Sequence, residues 1–399
     1  MSEIKVNSIK GVGASAAAIT VNNTDGTCTA NITNNLSNRN LIINGAMQVA
    51  QRGTTYTGAN HFTTVDRFAI NHGGLNEDCT TSQADVAAGT TPYTLGFRKS
   101  FKITNGNHTA GAGAGDYIRM AYKVEAQDMA SSGWNYTSSS SDITLSFWVK
   151  SSVSQNFNYL LHTSDGTSRL FPSETGTLSA NTWTKITKTI SGDSNLTFNN
   201  DNGIGLILHI YQFLGTNYTS SSVTNNQWQN YSGSEQTPDQ TSTWYTTNDA
   251  TFEITGVQLE VGSVATDFEH RSFGQELALC QRYYCMFAPY IGYNGRSNFA
   301  GISEGATFYT QNNIFAQIEL PTTMRTTPSL VYATGTNYYI IYRQGGNQTF
   351  DDGISMEAIS DEGKVCINKN GTPSNAVAGD AALWRLNNNS AYMAANAEL

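Results

Sequence analysis

Charged side chains are scarce in this 399-residue chain. Asp, Glu, Lys and Arg make up 13% of it, against about 25% in an ordinary soluble domain. The 22 basic and 31 acidic residues give a net charge of −9, spread without long runs. Phosphate recognition needs clustered Lys and Arg, so nucleic-acid binding is not expected as the main task. Cysteine is sparse and odd in number: Cys28, Cys79, Cys280, Cys285 and Cys366. Their spacings match no zinc or redox motif, which leaves buried free thiols as the expectation. No apolar run approaches the ~20 residues of a membrane span, so no membrane insertion is expected. The opening MSEIKVNSIK has no apolar core of the secretory kind. Catalytic signatures are missing too: there is no G-x-S-x-G, H-E-x-x-H, Walker A loop or EF-hand pattern. Residues 11–16 match the loose dinucleotide fingerprint, but the strand before them is short and polar. Asp25 also comes too soon for the ribose contact. No cofactor is expected.

What is abundant is Gly, Ser, Thr and Asn, with 20 Tyr and 17 Phe. Short strands, polar turns and aromatic cores have that composition; long helices do not. The length suits two or three domains on a prior of ~150 residues each. Residues 1–38 are short apolar beads on a polar string and cannot bury their own surface. They are read as an extended leader that orders on copies of itself or on a partner, with Ile4, Val6, Ile9, Ile19 and Val21 as anchoring residues. In 39–52, Leu41–Ile43 is read as a strand, Asn44-Gly45 as a turn, and Met47 and Val49 as the start of the return. Candidate strands follow at 65–70, 95–103, 117–124, 143–149, 158–163, 182–190, 205–211 and 252–261. Gly/Ser/Asn loops at 105–116, 131–142 and 215–249 separate them. That rhythm predicts an antiparallel jelly-roll β-sandwich over 39–271. Trp148 and Trp183 are placed in its core.

The stretch 252–287 organises the rest. Phe252 and Ile254 alternate in one parity and Val257, Leu259 and Val261 in the other, so Gly256 marks a β-bulge. From Phe273 the period changes. Phe273, Leu277, Cys280, Tyr284 and Phe287 form one helical stripe, with Ser272 at its start and Glu276 in the first turn. A connecting helix is therefore predicted over 272–287. Alternation returns over 288–399, near 299–302, 308–309, 314–319, 330–333, 338–342, 355–359 and 365–367, with a closing pair of strands. This part is read as a C-terminal β-sandwich tip, and the whole fold class is all-β.

Three stretches carry a resemblance: NLIINGAMQVAQRGT (40–54), VDRFAI (65–70) and ITGVQLEVGSVATDFEHRSFGQELALCQRYY (254–284). In these the chain resembles bacteriophage tail-fibre and receptor-binding structural proteins, where the first and third signatures bracket a carbohydrate-binding-module-like jelly roll. The resemblance covers about the first 285 residues, and the leader looks like those that attach such fibres to the virion. It implies a virion component, a homotrimer, that contacts other tail or connector proteins through the leader and a host surface glycan further out. A protein made in a cytoplasm yet composed like an extracellular β-protein fits a particle released by lysis. Related sugar-binding jelly rolls carry paired aspartates, some holding calcium, where this chain has Thr255 and Gly256; a metal is not expected there.

Six histidines (61, 72, 108, 162, 209, 270) form no i,i+4 pair and are read as structural or surface residues. Glycoside cleavage needs two converging carboxylates. Asp165, Glu174, Asp193, Asp201 and Glu235 lie in loops and are read as solvated charges, so no enzyme is expected. Asp351-Asp352-Gly353 reads as a turn. Aromatic residues in polar loops suit sugar stacking, and the same residues suit a subunit interface. Candidate glycan-binding residues are Trp228, Tyr231, Trp244 and Tyr245 in the long loop, and Tyr338 and Tyr339 in the tip. The leading reading is a non-enzymatic fibre subunit. A glycan-cleaving enzyme on a β scaffold and a passive head or neck decoration are the alternatives.

Overall fold

The computed structural model describes residues 8–10, 12, 19–21, 24, 28–30, 39–58, 61–303, 305–371 and 376–399. In the leader, β1 (Ser8–Ile9), β2 (Ile19–Val21) and β3 (Cys28–Ala30) form a small antiparallel sheet. Of the five anchoring candidates, Ile4 and Val6 lie outside the described residues. Ile9 is exposed, and Ile19 and Val21 are half-buried.

Twelve strands build the first body. They are β4 (Thr55–Thr57), β5 (Phe68–Gly73), β6 (Thr80–Asp85), β7 (Lys99–Thr104), β8 (Tyr117–Glu125), β9 (Asp142–Ser151), β10 (Asn156–Thr163), β11 (Arg169–Thr177), β12 (Thr184–Ser191), β13 (Ile204–Leu214), β14 (Gln229–Asn230) and β15 (Thr251–Val261). One sheet has the order β14-β11-β10-β13-β8-β5 and the other β12-β9-β15-β7-β6-β4. Their inner faces meet in one core running from Ile42 to Leu259. Aromatic pairs such as Phe147–Tyr159 and Phe157–Phe252, at 5.4 and 5.0 Å, bridge the two sheets. Each such ring taken out of water is worth about 1.5–3 kcal/mol, so this interface dominates the stability of the body. Strand β11 was not legible as a strand because Pro172 interrupts its pattern; it sits one strand in from the edge.

Gly256 is a bulge residue, as the parity slip predicts. Its φ is +62°, and the β15–β9 register shifts between Thr255 and Gln258. A Cβ there would lie 2.6 Å from the Phe97 ring, so only glycine fits. Residues 39–52 do not form the expected hairpin. The turn at 43–46 is present, but Leu41 and Gly45 bond individually to Leu259 and Val257 of β15 rather than to a returning strand. Asn44 and Met47, both at positive φ, turn the chain inward instead. Trp148 and Trp183 are half-buried on the outer face of the second sheet, not in the core. Inward positions of β9 go to Ile143, Leu145, Phe147 and Val149, which leaves Trp148 on the other parity.

After two short helices, α1 (Thr91–Thr94) and α2 (Ala126–Ala130), the connecting helix, α3, runs only over Phe273–Gln281. Its start is as expected: Ser272 and Gln275 form a reciprocal capping box. The continuous stripe is not. Phe273 is 47% exposed, and the buried residues of α3 are Glu276 and Cys280. Tyr284 belongs to a strand, β16 (Tyr284–Ala288), because its partner 396 draws 284 into a sheet.

The C-terminal body follows with β17 (Ala306–Thr310), β18 (Asn313–Glu319), β19 (Ser329–Tyr332), β20 (Tyr339–Tyr342), β21 (Gln348–Phe350), β22 (Ile354–Met356), β23 (Lys364–Asn370), β24 (Ala381–Leu386) and β25 (Met393–Asn396). Sheets of order β16-β25-β19 and β21-β20-β24-β17-β18-β23-β22 enclose a second core around Trp384 and Tyr339. Residues 299–302 form only an isolated bridge at Gly301, not a strand.

The three resemblance-bearing stretches converge on the seam between the bodies. Gln51 donates to Asp66 at 2.5 Å and to the Tyr284 carbonyl at 2.6 Å. Arg282 forks onto Glu125 through two 2.9 Å bonds, and Tyr283 adds a third at 2.5 Å. Buried Arg67 lies 3.4 Å over the Tyr283 ring, donates to the Lys123 carbonyl and pairs with Glu398. Arg52 lies 3.5 Å over Tyr284 and also reaches Glu398. Directional, charge-assisted contacts of this kind fix orientation as well as adding energy.

Candidate functional site

Alternation along β8 sends Ile118, Met120, Tyr122 and Val124 into the core and leaves Tyr117, Arg119, Ala121 and Lys123 on the outer face. The register places Tyr211 of β13 opposite Arg119 and His209 opposite Ala121. On the next strand, β10, Leu160 is opposite His209. His162, two residues on, therefore shares that face. Its ring lies 5.9 Å from His209, and His209 lies 5.9 Å from Tyr211.

The long 215–249 connection completes this face from both sides. Short β14 pairs with β11, and the Tyr231 amide then donates to the Ser168 carbonyl. This holds the Tyr231 ring flat on His162, at 4.8 Å and 6° between planes, with 47% of the residue exposed. At the other end Tyr218 meets Tyr117 edge-on at 5.8 Å. Gln236 accepts the Tyr211 hydroxyl at 2.7 Å and roofs it over. A 170 Å³ cleft remains, lined by Tyr117, Arg119, Leu214, Tyr218 and Gln236. Rings thus run across three strands: Tyr231, His162, His209, Tyr211, then the Arg119 guanidinium and Tyr117.

Electrostatically the face is basic within an acidic protein. Burial, then the Arg119 charge, pushes His162 down to about 4. Burial, then Arg119, His162 and Lys123, pushes His209 well below its ordinary value. Both rings are neutral at neutral pH. Arg119 forms no ion pair with any described carboxylate within 4 Å, and its Nε and the Nδ1 of His209 are buried without a hydrogen-bond partner among the described residues.

The six aromatic candidates separate clearly. Tyr231 is on this face. Trp228 stands beside it, half-buried, with its Nε1 donating to the Ser191 carbonyl and its ring against Phe171. Trp244 is fully buried and donates to the Thr251 carbonyl, so it cannot stack on a ligand. Tyr245 is equally buried between Phe213 and His108, and its hydroxyl is bonded to Asp116. Tyr339 is a core residue of the C-terminal body with its hydroxyl on the Ala333 carbonyl. Tyr338 is half-buried, with its ring packed over Gly335. These corrections share a cause: a long loop closes on the sandwich by burying its largest rings, and sequence polarity around a Trp does not reveal that. Sequence reasoning missed Arg119, Tyr117 and Tyr218, and set His162 and His209 aside as structural. The signal was the alternation of β8, whose outward parity carries Tyr, Arg and Lys.

Of the five candidate carboxylates, four lie in loops as expected and Glu174 lies in β11; each is engaged locally. Asp165 holds Asn199, Glu174 holds Asn156, Asp193 holds Asn195, Asp201 caps Gly203 and Glu235 meets Ser222. Thr255 donates its hydroxyl to the Lys99 carbonyl. No group of three or more His, Cys, Asp or Glu among the described residues is placed to hold a metal ion. Cys79, Cys280, Cys285 and Cys366 are buried and free.

No family model matches the chain, and no curated protein matches it. Among solved structures, the enzymatically active domain of tailspike protein 4 from bacteriophage CBA120 aligns at 10% identity and a TM-score of 0.29. The alignment covers 56% of this chain and 21% of that one. A family 11 carbohydrate-binding module of Clostridium thermocellum, in complex with a β-1,3-1,4-mixed-linked tetrasaccharide, aligns at 14% identity and 0.25, over 54% of this chain and 98% of the module. TmCBM61, in complex with β-1,4-galactotriose, aligns at 10% identity and 0.21, over 57% and 99%. At scores this low the alignments carry no weight for what this chain binds. A second recess, of 240 Å³, lies on the outer face of the other sheet between Trp148, Lys185, Phe268 and His270. Phe268 packs on Phe97 and His270, and His270 is bonded to the Leu95 carbonyl.

Proposed function

We propose that the chain is a non-enzymatic structural subunit of a phage virion that attaches the particle to a host surface by glycan recognition. The binding surface in this reading is the β10–β13–β8 face. The observation that carries it is the run of rings from Tyr231 to Tyr117, open at Tyr231 and at the cleft. A sugar presents apolar C–H faces and a rim of hydroxyls; the exposed Tyr231 ring offers a stacking face at one end and the cleft offers rings and polar groups at the other, while buried His209 and Tyr211 form the floor between them. The phage reading rests on the three signature stretches, which build a polar seam suited to holding two bodies in one pose. The leader is read as the virion-anchoring and self-associating part, and the subunit as a homotrimer, since weak sites gain effective affinity when several act together.

Soluble protein should compete with whole particles for host cells and should be retained by host surface polysaccharide. Tyr231→Ala should weaken retention about two- to twelvefold, because stacking on a flat ring is worth about 0.5–1.5 kcal/mol. Undiminished retention of that variant, or no competition by the parent protein, would remove the reading. Released oligosaccharide would replace it with a glycan-cleaving one.

A further inference from the structure

The cleft and the face beside it share an unusual charge distribution. In a chain of net charge −9, Arg119, Lys123, His162 and His209 stand together on three adjacent strands. Both histidines feel other cations, with no carboxylate acting on either. Glu398 acts on Lys123, but it is committed to Arg67 and Arg52. Carboxylates near the cleft face elsewhere: Asp116 is bonded to Tyr245 and the Gly113 amide, and Asp239 accepts from Thr219. Arg119 is therefore a half-buried guanidinium, backed by the Tyr117 ring at 5.7 Å, lacking a carboxylate partner among the described residues. A cation left unpaired in a partly dry site is costly, and the cost is recovered when a bound anion completes it.

We propose that this face selects an acidic saccharide, and that Arg119 binds the carboxylate of a sugar acid seated in the Tyr117–Tyr218 cleft. This rests on the glycan reading above and gives that glycan its chemical class. The planar fork of arginine matches a carboxylate through two parallel N–H···O bonds. The size of the cleft agrees. Pockets for whole drug-sized ligands run to about 300–1,000 Å³, and 170 Å³ admits one ring or its charged end. The remaining saccharide would extend toward the exposed Tyr231 ring, which covers His162. The neutral histidines leave the guanidinium as the charge that decides, since Lys123 is engaged by the Leu399 carbonyl.

The test uses the full chain and three immobilised polymers, polygalacturonate, alginate and polysialic acid, each beside its carboxyl-reduced counterpart. Dextran sulfate serves as a charge control. At least one acidic polymer should bind tenfold or more tightly than its reduced form. Arg119→Gln should abolish that preference, Arg119→Lys should restore part of it, and thermal melting should confirm that both variants fold. Equal binding to acidic and reduced forms, with Tyr231→Ala still weakening both, would overturn the proposal and leave glycan recognition standing. Dextran sulfate binding as tightly as the best acidic polymer, and equally in Arg119→Gln, would reduce the face to general charge attraction and overturn it too. Failure of all six polymers and of host polysaccharide would overturn both readings together.

Discussion

Two buried carboxylates set how the seam behaves. Glu125 is sealed from solvent and accepts from Arg282, Tyr283 and Gln127. Burial raises its pKa, but those hydrogen bonds together outweigh it, so the carboxyl ends below its ordinary value. Glu125→Ala should cost about 3–5 kcal/mol in chemical denaturation, since it leaves Arg282 and Tyr283 facing an uncompensated gap. Asp66 goes the other way. Burial, the largest influence, lifts it from 3.8 to about 6 despite Arg52 and Gln51. Between those values the folded state keeps a proton that the unfolded chain has released. Stability therefore falls as pH rises from about 4 to 6 and levels off above, by up to about 3 kcal/mol from this group. Asp66→Asn should lack that decline; comparing denaturation midpoints at pH 4 and 6.5 in both proteins checks it.

At the scale of elements, the decisive contact is between two glycines and what lies against them. The turn at Gly45 touches the bulge at Gly256: Val257 donates to the Gly45 carbonyl, and a Cβ on Gly45 would sit 2.1 Å from the Val257 oxygen. Gly45→Ala should separate turn and bulge, and Gly256→Ala should both strain the backbone and strike Phe97. Each should lower stability by about 1–3 kcal/mol, read as a shift in denaturant midpoint at constant slope. The bulge was legible in the sequence because a parity slip needs one extra residue. The hairpin at 39–52 was misread because local turn chemistry was clear while the partner strand, β15, lies more than 200 residues away. Helix α3 announced its cap but not its end, since β-pairing with β25 decided where the helix stops. The same holds for the candidate site. Tyr231 could be found from the loop, whereas Arg119 and His162 acquire meaning only from strand order, which places β8, β13 and β10 side by side.

For the molecule as a whole, two hydrophobic cores share one polar seam. Calorimetry should give a single unfolding transition for the intact protein, and Glu125→Ala should split it into two as the bodies uncouple. Sedimentation of the full chain should report three protomers, and removing residues 1–38 should return monomers that remain soluble and folded. A parent protein sedimenting as one chain at micromolar concentration would refute the homotrimer.

The pairing of Arg67 with Glu398 joins positions 331 apart. During synthesis the sandwich is complete long before residue 398 leaves the ribosome, so the Arg67 guanidinium must wait for the segment after β25 to arrive. Closing so distant a contact is slow compared with forming the local β-pairs. Refolding should therefore proceed in two kinetic steps: an early one that forms the jelly roll, and a late one in which the Tyr283 environment becomes native.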